Sequence, residues 1–340
     1  MDRIARSVRR APAQGYAVVV ALLTLTLALA GCVGQADAQP THEVTIGLGY
    51  VPNVQFAPFY VADAMGYYRD AGIRVTFRHH TVGEDLFGAI IAGQEDVIFA
   101  AGDETLQARS RGVDLVYVAQ VWNRYPVGLI VPADSPIASP ADLKGRTVGI
   151  PGKFGATYIG LLALLKQAGL TEQDVNIQSI GFTQVPALLD HQVDAVMGYL
   201  NNEPIQFEKA AFPVRTFAAA DAQPLISNGI VVKADTLDAK ADDIRAVIEA
   251  TLKGVQYTIE HPEEAVDLSK KYVPGLDQEE KAADALAVLE ATIPLWQTNG
   301  TPGKTDPAAW ESMARFLDEI GQLGGPVDAS EAFTNDYLPA

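Results

Sequence analysis

One arrangement of strand, glycine loop and helix occurs twice in this chain. Thr45 to Ile73 reads TIGLGYVPNVQFAPFYVADAMGYYRDAGI, and Thr147 to Leu170 reads TVGIPGKFGATYIGLLALLKQAGL. Each copy opens on a short apolar strand, turns through glycine and ends a helix on Ala-Gly followed by an aliphatic residue. The likeness continues downstream, where VNIQSIGF (175–182) stands where IRVTF (73–77) stands in the first copy. Gln192-Val193-Asp194-Ala195-Val196-Met197 then repeats Gln94-Glu95-Asp96-Val97-Ile98-Phe99. Two βα runs can share patterning by chance, but two lobes with the same wiring is the simplest explanation of pattern and order together.

Short apolar runs alternate with helical stretches throughout, which predicts an α/β chain with mostly parallel sheets. The first copy predicts strands at 44–49, 73–77, 96–100 and 114–121, with helices at 58–70, 84–92 and 104–110. Extended runs at 125–131 and 229–233 predict one crossing out and one back, hence a hinge. Helices follow at 241–260, 263–272, 278–293 and 308–322, the last introduced by the cap and first-turn proline Asp306-Pro307. These tail helices are expected to pack on the first lobe. Lobe 1 is then discontinuous, 43–128 with 229–340, and lobe 2 is 129–228 including the hinge crossings.

Residues 1–31 read as a secretory signal peptide. Arg3, Arg6, Arg9 and Arg10 give a basic start, Tyr16 to Ala30 an apolar run, and Leu29-Ala30-Gly31-Cys32 a small-residue close. The run is short of the ~20 residues needed to span a bilayer. Leu-Ala-Gly-Cys resembles the lipobox of bacterial lipoproteins, which implies lipidation of Cys32 and a membrane attachment through it, with 32–42 as the tether. Cys32 is the only cysteine, so no intramolecular disulfide can form. Removing 1–31 takes away four Arg and one Asp and leaves 21 basic against 41 acidic residues, a formal charge of −20. Phosphate neutralisation needs a basic face, so nucleic acid is not an expected partner. Nothing in the pattern calls for an obligate oligomer, and a monomer is expected.

In an α/β unit the loops leaving the carboxyl ends of strands hold ligands. If both lobes present such loops to one cleft, the first contributes Tyr50, Asn53, Phe56, Asp103 and Glu104, with Trp122, Asn123 and Tyr125 after its last strand. The second contributes Gly152, Phe154, Gly155, Thr157 and Tyr158, then Phe182, Asn201, Asn202 and Glu203. Rings sandwich a planar molecule and amides read its polar edge. Each member also has a plainer role. Tyr50 and Phe56 would serve as staples of a βα loop, Trp122 and Tyr125 as plugs at the domain junction, Asp103 and Asn201 as helix N-caps. Gly152-Lys153-Phe154-Gly155 opens a helix whose free N–H groups suit a polar acceptor, but it lacks the Gly-Lys-Ser/Thr ending of a P-loop. No His-x-x-x-His, Cys-x-x-Cys or Gly-x-Ser-x-Gly is present, so no metal or cofactor is expected and no nucleophile is nominated.

Gly49-Tyr50-Val51-Pro52-Asn53-Val54-Gln55-Phe56-Ala57-Pro58-Phe59-Tyr60 and Gly198-Tyr199-Leu200-Asn201-Asn202-Glu203-Pro204 resemble periplasmic substrate-binding proteins related to thiamin pyrimidine synthases and to the taurine and alkanesulfonate binders. The resemblance runs from His42 to the C-terminal helices. It implies a type II periplasmic-binding-protein fold, two α/β lobes closing on a small molecule, working with the permease and ATPase subunits of an ABC importer. Within that group the riboflavin-uptake branch is most similar, implying riboflavin as ligand. Binders of a thiamin pyrimidine precursor (formylaminopyrimidine or hydroxymethylpyrimidine) are the alternative, and an extracellular sensor module is a further one. The pyrimidine synthases themselves carry a cysteine-rich motif that this chain lacks, so an enzyme is not expected.

Overall fold

The computed structural model describes residues 42–81, 84 and 86–339. The expected signal peptide, Cys32 and the tether up to residue 41 lie outside the described residues. His42, expected to end that tether, already opens a strand. The chain begins with β1 (His42–Leu48), α1 (Ala57–Ala64), α2 (Tyr67–Asp70), β2 (Ile73–His79), α3 (Leu86–Ile91), β3 (Val97–Ala101), α4 (Gly102–Ser110) and β4 (Leu115–Gln120). It crosses to β5 (Val127–Pro132), then β6 (Thr147–Ile150), α5 (Gly155–Gln167), β7 (Asn176–Ser179), α6 (Gln184–Leu189), β8 (Ala195–Tyr199), α7 (Glu203–Lys209) and β9 (Val214–Ala218). It returns through β10 (Asn228–Lys233) to α8 (Ala234–Ala239), α9 (Ala241–Glu260), α10 (Pro262–Ser269), α11 (Glu279–Trp296) and α12 (Pro307–Glu319).

Two five-stranded sheets result, in the orders β2-β1-β3-β10-β4 and β7-β6-β8-β5-β9. The orders are equivalent. Each has three parallel strands, then a strand arriving from the other half that pairs antiparallel on both sides, then an edge strand. The extended runs read as hinge crossings are therefore inserted strands, and the crossings proper are the short links before β5 and β10. Val127 and Gly128 already pair in the second sheet and Asn228 in the first, so the lobe boundaries sit a residue or two away from those expected.

The internal repeat reaches single hydrogen bonds. Thr45 N–H donates to Asp96 Oδ2 at 2.9 Å, and Thr147 N–H donates to Asp194 Oδ2 at 2.8 Å. In return Asp96 N–H donates to Thr45 O, and Asp194 N–H to Thr147 O. Each aspartate thus clamps its strand to the start of its neighbour.

The helix expected over 58–70 is two helices, because Gly66 takes φ 78° and turns the chain between them. Strand β9 was not expected; its half-buried sequence Val-Arg-Thr-Phe-Ala lacks an apolar run, and only pairing with β5 makes it a strand. Helices α1 and α9 pack on the first sheet, where Ile46, Leu48, Phe59 and Val61 share one core with Ile248, Val255 and Leu289. Helix α12 departs from the expectation: Trp310, Met313 and Leu317 pack against Ile98 and Leu106 but also against Ile159 and Ala163 of α5. Where α9 crosses α1, a Cβ on Gly254 would lie 2.1 Å from the Pro58 carbonyl oxygen. Backbone cannot yield as a side-chain tip can, so Gly254→Ala should destabilise the protein by about 2 kcal/mol, read as a lower urea midpoint at unchanged slope. Among the described residues no helix is long and apolar enough to cross a membrane.

Candidate functional site

A cavity of 440 Å³ opens where the parallel strands of both sheets end. Gly49, Tyr50, Gln55 and Phe56 follow β1, His80, Thr81 and Glu84 follow β2, and Glu104, Gln107 and Arg111 lie on or just beyond α4. From the other sheet come Pro151, Phe154, Gly155 and Thr157 after β6, Phe182 and Gln184 after β7, and Tyr199, Asn202 and Glu203 at the end of β8. Trp122 on the first crossing and Asn228, the first residue of β10, complete the wall.

Of the residues expected from sequence, Tyr50, Phe56, Trp122, Phe154, Gly155, Asn202 and Glu203 line this cavity, as do Glu104, Thr157 and Phe182. Seven do not, and each has another task; Asn123 Nδ2, for one, donates to the Trp296 carbonyl at 2.7 Å. Asn53 Oδ1 caps the short helix Val54–Phe56 by accepting the Gln55 N–H at 3.0 Å. Asp103 is wholly buried behind the wall and accepts the Tyr125 hydroxyl at 3.2 Å, which also reaches the Ala156 carbonyl. Tyr125 thereby ties the first crossing to α4 and α5. Gly152 sits beneath the Phe154 ring, whose Cε1 would be 2.2 Å from a Cβ there. Tyr158 donates to Glu172, which also accepts from Lys153. Asn201 Nδ2 donates to Thr292 Oγ1 of α11 at 2.7 Å. Neither Asp103 nor Asn201 caps a helix, because α4 starts at Gly102 and α7 at Glu203, with Ala101 and Asn202 in the cap positions.

The lining residues that sequence reasoning missed include Phe99, Gln107, Arg111, Gln184, Tyr199 and Asn228. A signal existed for two of them. Gln107 and Arg111 lie three and seven positions after Glu104, on one helix face.

Rings dominate the inner part of the cavity. Trp122 stands edge-on to Tyr199 at 6.2 Å and tilted to Phe99 at 6.3 Å. Tyr50, beyond the first sheet, meets Phe182, beyond the second, edge to face at 4.7 Å. His79 holds the Tyr50 loop: Tyr60 donates to its Nε2 and its Nδ1–H donates to the Tyr50 carbonyl, each at 3.0 Å. Burial lowers the His79 pKa and so favours the neutral ring that this bridge requires.

Two carboxyl groups are built alike. Glu104 accepts the Ala101 N–H at 2.9 Å, and Glu203 accepts the Tyr199 N–H at 2.8 Å. Each is a first-turn glutamate reaching back to the end of its strand, on opposite sides of the cavity. Desolvation pushes Glu203 up to about 7 and raises Glu104 as well. Asp103 is raised far above the usual carboxylate range, by burial first and the neighbouring Glu104 second. The Tyr50 hydroxyl is pushed up to about 12, by burial first and then by Glu203. The arrangement offers flat apolar faces, neutral amides and poorly solvated carboxyl groups, which is equipment for gripping a planar polar molecule. Among the described residues no group of three His, Cys, Asp or Glu is arranged to hold a metal ion.

The family model described as NMT1/THI5 like matches residues 53–265. The chain is 37% identical over 310 residues to the riboflavin-binding protein RibY of Chloroflexus aurantiacus, covering 89% of this chain and 88% of that one. It is 25% identical over 327 residues to the formylaminopyrimidine-binding protein of Halalkalibacterium halodurans, covering 93% and 98%. The alkanesulfonate-binding protein SsuA from Xanthomonas axonopodis pv. citri superposes with a TM-score of 0.68 at 18% identity, over 88% of this chain and 99% of that one. The architecture of two lobes around a cleft is thus that of the periplasmic substrate-binding proteins.

Proposed function

The chain belongs to the NMT1/THI5-like family, and on that premise we propose that it captures riboflavin outside the cytoplasm and delivers it to an ABC importer. The observation that carries the ligand is the cavity, 440 Å³ with rings on opposing walls. A single pyrimidine would leave much of that space wet, whereas three fused rings with a side chain suit it. Burial of the ring between Trp122, Phe99, Phe56 and Tyr50 would supply the affinity. Glu203 and Glu104 would accept the ring N–H and hydroxyl donors. The uncapped first turn of α5 at Gly155–Thr157 would donate to ring carbonyls. Closure about the two crossings would form the surface for a permease. Export by the leader and a lipid on Cys32 would keep the protein at the membrane, and no catalytic step is assigned to it.

A thiamin pyrimidine precursor is the second reading, favoured by the two poorly solvated carboxyl groups of Glu104 and Glu203, which suit an exocyclic amine. Titrating riboflavin with the purified protein while following flavin fluorescence separates the two. Saturable one-to-one quenching is expected. Absence of quenching, together with a thermal shift on adding formylaminopyrimidine, would move the assignment to the pyrimidine.

A further inference from the structure

Three glutamines on the cavity wall spend none of their side-chain hydrogen bonds on the protein. Gln55 is 8% exposed, Gln107 9% and Gln184 6%, and all three line the cavity. Among the described residues none of their side-chain amides has a hydrogen-bond partner, although each is more than nine-tenths withdrawn from solvent. The amide ends themselves reach the cavity, since none is among the fully buried polar atoms without a partner, and three such amides on one wall, from three separate elements and both sheets, are free to bond a ligand held there.

The chemistry of that ligand portion follows from the donors present. Each amide offers a carbonyl acceptor and an N–H₂ donor, which matches hydroxyl groups, since these also donate and accept. It does not match a phosphate, which only accepts and needs countercharge. Among the described residues Arg111 is the one Arg or Lys on the wall, and Glu84, Glu104 and Glu203 share that wall. Gln107 sits one turn beyond Glu104 on α4, so the amide face continues directly from the carboxyl that meets the ring.

We infer that Gln55, Gln107 and Gln184 form a neutral subsite for a polyhydroxylated tail, so that the protein selects a flavin carrying a free polyol over one lacking the tail or bearing a phosphate on it. This rests on the flavin reading above. The test compares three probes with the purified protein: riboflavin, lumiflavin, which has a methyl group in place of the polyol, and flavin mononucleotide, its phosphate ester. Riboflavin should bind at least about tenfold tighter than lumiflavin, the worth of one satisfied polar group, and tighter than the phosphate ester. In a Gln107→Ala/Gln184→Ala double variant the preference for riboflavin over lumiflavin should fall towards one, with lumiflavin binding reporting that the fold is intact. Equal affinity for riboflavin and lumiflavin, tighter binding of the phosphate ester, or an equal loss for both flavins in the variant would each overturn the subsite while leaving flavin capture standing. Binding of none of the three would remove the flavin reading and the subsite together.

Discussion

Replacing Glu95 with alanine should lower stability by about 3 kcal/mol, measured as a fall in urea midpoint, and should weaken ligand capture with it. The Glu95 side chain is fully buried; its Oε1 accepts from Arg78 at 2.8 Å and from His80 Nε2 at 2.6 Å. Arg78 also pairs with Glu84, and that guanidinium holds the Glu84 carboxyl below its ordinary range. Removing one member of a buried ion network strands the others, which costs roughly 3–5 kcal/mol. The lower end applies because Arg78 is a third exposed. Binding should suffer too, since His80 and Glu84 line the cavity. The neighbouring strand is shaped for this carboxylate: a Cβ on Gly47 would lie 2.2 Å from Glu95 Oε2. An unchanged midpoint in Glu95→Ala would mean that the network contributes nothing net. The reverse change, Gly47→Ala, should then be tolerated as well.

The same pair of positions explains how far the fold could be read. Gly47 and Glu95 of the first half correspond to Gly149 and Val193 of the second, where a Cβ on Gly149 would touch Val193 at 3.4 Å. The glycines and the clamping Asp96 and Asp194 are local signals, so the repeated βα wiring was legible. The exchange of β5 and β10 between sheets was not, because an extended run states nothing about which distant strand it joins. The site divides on the same line. Glu104 and Glu203 were legible as first-turn glutamates at matched places, and from Glu104 the helical period leads to Gln107 and Arg111. Phe99 and Tyr199 look like ordinary strand residues, and only the sheet order turns their ends to the cavity. Asp103 was misread because its rank as first-turn cap or buried side chain depends on where α4 begins, a matter of one residue.

Glu203→Gln should separate stability from binding. The carboxyl is buried, and desolvation raises its pKa from 4.5 to about 7. Between those values the folded protein holds a proton that the unfolded chain has lost, so stability declines as pH rises through the window. Above it the loss is complete, at about 3 kcal/mol. Glutamine has no proton to lose and its Oε1 can still accept the Tyr199 N–H that Glu203 accepts. The variant should therefore show a shallower decline between pH 4.5 and 7, the raised Glu104 and Asp103 keeping their own share of it, and should be more stable than the parent at pH 8. Ligand capture should move the opposite way. A ring N–H donor stabilises the charged carboxylate, so parent affinity should rise from pH 6 to pH 8, and the variant should bind more weakly by about 1–2 kcal/mol at pH 8. The groups facing Glu203 are Tyr50, Tyr199 and Asn202. The two tyrosines have raised pKa values and stay neutral across this range, so neither contributes a competing step. Parallel stability curves for parent and variant from pH 5 to 8 would contradict the buried, protonated carboxyl. Equal flavin affinity at pH 8 would remove Glu203 from the ligand's contacts. Because one substitution is expected to stabilise the empty protein and weaken the complex, the strain at this glutamate is best understood as part of how the cleft holds its ligand.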